Sequence, residues 1–493
     1  MLPPDPKPET EKKPPAPPPD ETPEGWHPLE QMRDAVHAVE DRTYYLLGRV
    51  RLPAASVLPA AGAVVGLYAG LAAGVFANLI GIMNGMALGL PRLWAKGYGR
   101  HHAWAAVIDA LEHARWHSEF AIVGLPLVAV ALYLSRRIPE GGERTVAKRR
   151  FKILAILTVL ALGMYYPLLA LSAVNAAVGR TYDLIEAFQA LPVWAILFAP
   201  ALGGLVVGRM LRDYPHVHGH GVPEVVMAVK TQNGLHARGG LLKLIASSIT
   251  IGTGGSAGRE GPIVYGGAAF GSAVGRTLGF SQKELAVLLA CGAGAGIAAS
   301  FNAPIAGAIF AVEIILREFE LTVFSPIILA SVTATIVSRG VMGSASMINH
   351  MEYSLVSGSE IFAYGALGLL LGCLGFAFIE LLHGTEAFFS GKVKGQMSTW
   401  LGKRPYAFRA MTGGLICGAL ALVSPTVWGT GHEFVNLAAV GKLTVGFLAV
   451  AAILKLVGTC VTIGSGGSGG TFFPATVIGA MAGGALGVVV HHF

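Results

Sequence analysis

The chain has 493 residues, 53% of them hydrophobic and only 13% charged, with a mean hydropathy of +0.59. That balance excludes an ordinary soluble globular protein and places the chain in a bilayer. The net charge of +7 does not call for a nucleic-acid partner, because the basic residues gather in a few loops between apolar stretches, where the positive-inside rule expects cytoplasmic loops.

Residues 1–25 are crowded with Pro, Glu, Asp and Lys and are predicted to be a disordered cytoplasmic tail. They carry no hydrophobic signal region, so no cleaved signal peptide is expected. In 26–50, Leu29, Met32, Val36 and Val39 fall at helical spacing among charges, which predicts an amphipathic helix on the membrane surface. From 51 to 493 the chain is predicted to be a transmembrane domain. Crossing roughly 30 Å of hydrocarbon takes about 20 residues, and apolar segments approaching or exceeding that length lie at 59–88, 121–138, 151–177, 191–211, 243–251 with 262–278, 285–316, 322–342, 360–383, 410–425 and 443–490. Several are short or interrupted by Gly or Pro. In lipid, irregular backbone survives only where protein or a wet cavity covers its polar groups, so the interruptions mark the expected pathway.

Basic clusters follow three of these segments: Arg136 to Lys152, then Arg209, Arg212, Lys230 and Arg238, then Lys392, Lys394, Lys403, Arg404 and Arg409. The four cysteines, Cys291, Cys373, Cys417 and Cys460, sit singly in apolar segments and read as small buried residues, with neither a disulfide nor a zinc framework.

The chain also resembles itself. Gly203-Gly204-Leu205 with Gly208 returns as Gly413-Gly414-Leu415 with Gly418, and Lys243-Leu244 with Thr250 as Lys455-Leu456 with Thr462. Gly255-Ser256-x-Gly258 with Pro262 returns as Gly467-Ser468-x-Gly470 with Pro474, and Gly267, Gly271 and Gly275 return as Gly479, Gly483 and Gly487. The last six glycines read as close-packing positions between helices. The first copy runs toward a basic loop and the second away from one, so the repeats, about 190–340 and 360–493, are inverted. In such folds the substrate site lies where the repeats meet near the bilayer midplane.

Each copy has a glycine-rich loop opening a helix near a proline, which suits a first turn whose backbone donors are free. Gly258-Arg259-Glu260-Gly261-Pro262 and Gly470-Thr471-Phe472-Phe473-Pro474 thus offer two positive helix ends that converge on one point and hold an anion without a buried cation. Glu260 is an acid at membrane depth, which is costly and usually functional. Its carboxylate can take the anion's place when ionised and leave it when protonated, acting as a gate. The plainer reading is a glutamate that caps its own helix.

Gly219-His220-Gly221-Val222-Pro223-Glu224, Gly258 to Pro262, the run Gly292 to Asn302-Ala303-Pro304 and on to Glu313, and Gly470 to Pro474 resemble the signature blocks of the ClC family of chloride channels and chloride/proton exchangers. The likeness covers about 60–90 and 190–490. It implies an all-α multi-pass membrane protein with a ClC-like inverted-topology repeat of broken and re-entrant helices. It also implies a homodimer in the lipid bilayer of the cell, with one anion pathway per subunit and no cofactor beyond the transported chloride. By the same resemblance Glu260 is the gating glutamate, and the anion is held at Arg259, Glu260, Gly261, Thr471, Phe472, Phe473 and the loop of His220.

Three departures qualify this. His220 stands where the family commonly has serine, and it can act as a neutral donor, as a titrating cation, or turn away and leave only backbone at the site. Ile314 stands where exchangers often carry a proton-accepting glutamate, which favours passive, gated conduction, with Glu313 as a substitute proton path and exchange as the alternative. Residues 276–340 have no second copy before Phe493, so the second repeat is expected to lack its last helices, and the dimer contact with them. From another class, His216-x-His218-x-His220 has a spacing that can bind a metal, and a non-conducting scaffold is a further rival.

Overall fold

A computed structural model describes residues 57–96, 143–164, 168, 171–172, 191–214, 218–317, 320–343, 358, 360–441 and 443–491. The predicted tail at 1–25, the interfacial helix at 26–50, the segment 121–138, most of 165–177 and His216 lie outside them.

The described residues form fifteen α-helices: α1 (Val57–Lys96), α2 (Glu143–Gly163), α3 (Val193–Met210), α4 (Val222–Lys230), α5 (Ala237–Gly252), α6 (Glu260–Thr277), α7 (Gln282–Phe301), α8 (Pro304–Phe310), α9 (Leu321–Met342), α10 (Glu360–Phe389), α11 (Gln396–Gly402), α12 (Tyr406–Val423), α13 (His432–Ala439), α14 (Val445–Gly464) and α15 (Phe472–His491). Eight of these contain stretches long and apolar enough to cross a membrane. The chain is an all-α, multi-pass membrane protein.

Two of the long apolar stretches each divide into two helices, the second of them at the glycine-rich loop expected before Pro474. The stretch 285–316 divides at Asn302, whose φ of 58° ends α7, and Pro304 then opens α8, which runs on as a π-helical turn from Ala311 to Leu316. The stretch 443–490 divides between α14 and α15 at Ser465 to Thr471, because consecutive glycines weaken a helix.

Small residues bring the helices together. On α1, an added Cβ at Gly62 would lie 2.5 Å from the Pro326 carbonyl oxygen of α9, and Gly66 and Gly70 meet the carbonyls of Ala330 and Ala334. In α6 and α7, Gly267 and Gly292 each lie against the other's carbonyl, and Gly271 lies against that of Leu288. Two repeat partners, Gly204 of α3 and Gly414 of α12, pack on the carbonyls of Ala410 and Pro200 in each other's helix. The expected packing role fails for the second copy of the last glycines: Gly479 and Gly487 have no atom within 4 Å of an added Cβ, and Gly483 meets only Leu367 at 3.8 Å. No described helix lies against that face of α15 as α7 lies against α6. Cys373 is also a correction, since it is exposed on α10 while the other three cysteines are buried. The 18-residue apolar window of α10 is only 11% buried, so its thiol faces outward with its neighbours.

Candidate functional site

Two loops, after α5 and after α14, meet head to head. Each turns at a glycine in the left-handed region, Gly254 (φ 102°) and Gly466 (φ 113°), a conformation that a β-carbon resists. Gly258 and Gly470 then exchange backbone hydrogen bonds, each N–H donating to the other's carbonyl at 2.7 Å. Around this pair the contacts repeat in mirrored order. Ser256 N–H donates to Thr462 Oγ1 at 3.1 Å and Ser468 N–H to Thr250 Oγ1 at 3.1 Å. Hydroxyls of Ser256 and Thr459 lie 2.9 Å apart, as do those of Ser468 and Ser247. Equivalent residues pairing reciprocally define a local two-fold axis, and it passes between Gly258 and Gly470.

Helices α6 and α15 start at this axis. Ile263 N–H donates to the Arg259 carbonyl at 3.2 Å, and its counterpart Ala475 to Thr471 at 3.1 Å. Glu260 and Phe472 are therefore first residues, and Pro262 and Pro474 stand third, a little deeper than the sequence suggests. The donors preceding each proline have no partner within their own helix.

Glu260 is 1% exposed. Its side chain folds back over Gly258, where an added Cβ would lie 2.7 Å from Oε2. The backbone N–H groups of Arg259, Glu260 and Phe473 face the carboxylate, so donors from both helix starts address one side chain. Neither carboxylate oxygen completes a hydrogen bond of full geometry among the described residues. Arg259 Nε is 3.8 Å from Oε1, and the same guanidinium donates to the Ser300 carbonyl at 3.1 Å. A buried carboxylate that faces amide dipoles and a guanidinium without closed hydrogen bonds is held by electrostatics.

The third loop is Gly219-His220-Gly221, with φ of 101° and 99° at its glycines. It closes on the start of α6: the His220 carbonyl lies against Gly261, and Gly221 lies against the Gly261 carbonyl. Lys243, buried in α5, donates from Nζ to the Gly219 carbonyl. This arrangement too has a copy, because Lys455, equally buried, donates to Gly429 O at 2.8 Å and Val427 O at 3.4 Å, holding Gly429-Thr430-Gly431. In the sequence the lysines read only as markers of the repeat, and the second Gly-x-Gly was missed, although its offset matches that of Gly203 and Gly413.

The His220 imidazole is turned to α10, with Nε2 3.2 Å from Glu386 Oε1, and Oε2 of that glutamate is 3.6 Å from His383 Nδ1. His218 instead places Nε2 3.0 Å from the Leu211 carbonyl and packs its ring on Tyr406, centroids 4.2 Å apart. The two imidazoles thus point to different partners. Among the described residues no group of three or more His, Cys, Asp and Glu side chains is placed to hold a metal. The other expected residues divide. Phe473 is buried with its ring 6.5 Å from Phe301. Phe472 is half exposed, 5.9 Å from the same ring. Thr471 supplies the carbonyl that opens α15. Glu313 and Ile314 lie exposed on the π-helical turn and are not brought into the Glu260 cluster. Phe301 and Glu386 carry no motif and were not legible in the sequence.

Below the Gly219 loop a cavity of about 320 Å³ is lined by His218, His383, Glu386, Tyr406 and Arg409, and by the Gly466-Gly467 turn.

Residues 203–493 match the model of the family described as voltage gated chloride channel. A putative chloride channel protein ClcB-like from Ralstonia nicotianae is 34% identical over 64% of this chain and 72% of its own length. An H(+)/Cl(-) exchange transporter ClcA from Klebsiella pneumoniae is 32% identical over 60% of this chain and 63% of its own, so the chain spans less than two thirds of that relative. Among solved structures, a slow cyanobacterial Cl-/H+ antiporter aligns with a TM-score of 0.55 at 21% identity, over 80% of this chain and 81% of its own. A CLC-type fluoride/proton antiporter aligns at 0.51 and 25%, over 60% of this chain and 71% of its own. The likeness of the first is one of fold. The family match begins at Gly203 and spans all three loops, so the paired helix starts, the buried Glu260 and the Gly219 loop all lie within it, and the chain belongs to the voltage gated chloride channel family.

Proposed function

We propose that the protein carries chloride or a similar small inorganic anion across the cell membrane, gated by Glu260, with its N-terminal segment on the cytoplasmic side and two copies forming a homodimer. The observation that carries this reading is the buried Glu260 carboxylate facing backbone donors from both α6 and α15. A transported anion takes the same donors at Arg259, Glu260 and Phe473, with Gly261, Thr471, Phe472 and the His220 loop forming the walls. When Glu260 is ionised it fills the site, and when protonated it loses its attraction to the amides and yields. Such a site draws an anion with backbone donors and with the Arg259 guanidinium, whose Nε stands 3.8 Å from the carboxylate, so the expectation of a site without a nearby cation is not met.

Ile314 supports uncoupled, passive movement, because an alkyl side chain carries no proton. A second reading, anion/proton exchange, is supported by the names of the ClcA relative and of the two antiporter structures. Purified protein in sealed liposomes distinguishes them. With a chloride gradient and a proton-sensitive dye, passive conduction gives chloride flux with no uphill proton movement. A fixed proton-to-chloride ratio, held as the gradient is varied, refutes it in favour of exchange. Absence of flux from both the natural chain and Glu260→Gln refutes the anion pathway altogether.

A further inference from the structure

A cavity of about 620 Å³ opens where the loop after α4 meets the turn between α6 and α7, lined by Gln232, Asn233, His236, Arg276, Phe280 and Gln282 among others. It is remote from Glu260, because about 1.5 Å per helical residue puts Arg276 roughly 24 Å along α6. A hollow of this size falls in the range of small-molecule sites, roughly 300–1,000 Å³, and far exceeds a halide. None of the described residues that line it is acidic. The carboxylate nearest in sequence, Glu284, is turned to its own helix cap, where Oε2 accepts from the Ser281 N–H at 2.8 Å and from the Ser281 hydroxyl at 2.7 Å.

Two donors on α6 meet at the edge of this cavity. Ser272 is fully buried, and its Oγ has no hydrogen-bond partner among the described residues, although a buried hydroxyl normally finds one. Arg276, one turn on, is exposed, and its Nη1 stands 3.2 Å from His236 Nδ1, a nitrogen that accepts only while its ring is neutral. At Gly234, which also lines the cavity, an added β-carbon would lie 2.6 Å from Ser272 Oγ and 2.5 Å from Arg276 Nη2. A hydroxyl and a guanidinium therefore converge beside a residue that has no side chain. The helix dipole alone favours a cation near the end of α6, but Arg150 of α2 already serves that end. It donates to the Leu278 carbonyl at 3.0 Å and the Gly279 carbonyl at 2.7 Å, and its guanidinium lies over the Phe280 ring. Arg276 is left to face the hollow.

We propose that this cavity binds a phosphate monoester, free or as a lipid headgroup, with its phosphoryl group between Arg276 and Ser272. A guanidinium matches two phosphate oxygens with its planar fork. The Ser272 hydroxyl donates to a third oxygen, which supplies the acceptor it lacks, and the amides of Gln232, Asn233 and Gln282 add donors around the rim. Phe280 and Leu285 receive the carbon skeleton of the ester. The loop lies between Lys230 and Arg238, in a stretch that the positive-inside rule assigns to the cytoplasm, where soluble esters and inner-leaflet headgroups are both within reach. Helices α4 and α6 begin against one another at Gly221 and Gly261, and the residues that follow their far ends wall the cavity. A bound phosphate thus ties together two helices whose first turns border the proposed pathway. Binding here is independent of whether that pathway conducts.

Purified full-length protein, held in excess chloride so that any anion pathway stays filled, is titrated by calorimetry with inorganic phosphate and with glycerol phosphate. A lipid arm follows thermal unfolding in detergent micelles containing phosphatidylcholine, with and without added phosphatidic acid. Saturable binding in the first arm or a raised unfolding temperature in the second is the expected result. Glycerol phosphate binding without a shift from phosphatidic acid identifies a soluble ligand, and the shift with at most weak binding of the free anions identifies a lipid. Arg276→Gln should weaken the response about tenfold, as loss of one charge-assisted hydrogen bond does, and Arg276→Lys, which keeps the charge without the fork, should recover part of it. Ser272→Ala should weaken it about fivefold, yet leave the unliganded protein melting no lower, because the deleted hydroxyl has no partner to lose. No response to inorganic phosphate, glycerol phosphate or phosphatidic acid overturns the site. So does a response undiminished in either Arg276→Gln or Ser272→Ala.

Discussion

Replacing Glu260 by Gln keeps the shape of the side chain and deletes its charge. In the folded protein that charge faces three backbone donors, of Arg259, Glu260 and Phe473, and an incoming anion must displace it to use them. A hydrogen bond to a charged group contributes about 1.5–3 kcal/mol. Because the carboxylate oxygens do not reach full geometry, the three together are credited with only about 3 kcal/mol, near the upper value for a single bond. Each 1.4 kcal/mol is about tenfold in affinity, so the expected gain in apparent chloride affinity at pH 7.5 is on the order of a hundredfold. Calorimetry on the solubilised protein reads it directly, and efflux from liposomes reads its consequence. Natural protein should conduct slowly at neutral pH and faster in acid, whereas Glu260→Gln should conduct at neutral pH as the natural protein does in acid. Unchanged affinity at pH 7.5, together with an unchanged acid response, would refute the competition between carboxylate and anion.

Two further predictions test the packing that builds the site. A β-carbon at Gly267 runs into the Gly292 carbonyl, so Gly267→Ala should destabilise by about 1–3 kcal/mol; the repeat-equivalent Gly479→Ala meets no atom and should stay within about 0.5 kcal/mol in thermal unfolding of the solubilised protein. Thr250→Val and Thr462→Val each strand one buried amide, that of Ser468 or Ser256, at about 1–3 kcal/mol. Their melting temperatures should fall together, and a large difference between them would contradict the local two-fold.

Much of the fold is legible in the order of residues, because a bilayer leaves few options for backbone polar groups. Apolar length located most of the spans, and glycines that must lie against a neighbouring carbonyl, such as Gly204 and Gly414, left the same spacing in both copies. Glu260 stood out because an acid between glycines and a proline inside an apolar stretch has few structural uses. The break at Asn302 was hidden in a run of hydrophobic residues, where composition alone does not distinguish one helix from two, whereas the glycines before Thr471 marked the other.

The charges within the Glu260 site were harder to see. His220 carried three readings in the sequence, and only the structure shows its ring lying toward Glu386, with Nε2 3.2 Å from Oε1. Glu386 lies far from His220 along the chain, and no motif marks it. Lys243 and Lys455 looked like ordinary repeat positions until their amines were found under the carbonyls of Gly219 and Gly429.

The order of residues therefore determined the class, the duplication and the identity of the buried acid, since each depends on local chemistry that a few neighbouring side chains specify. Which donors face Glu260, how Trp428 packs on Gly254 and Tyr406 on Gly466, and which glutamate lies beside His220 were decided only by the tertiary structure. Those contacts join residues far apart in the chain, and their geometry depends on how whole helices pack rather than on any spacing along it.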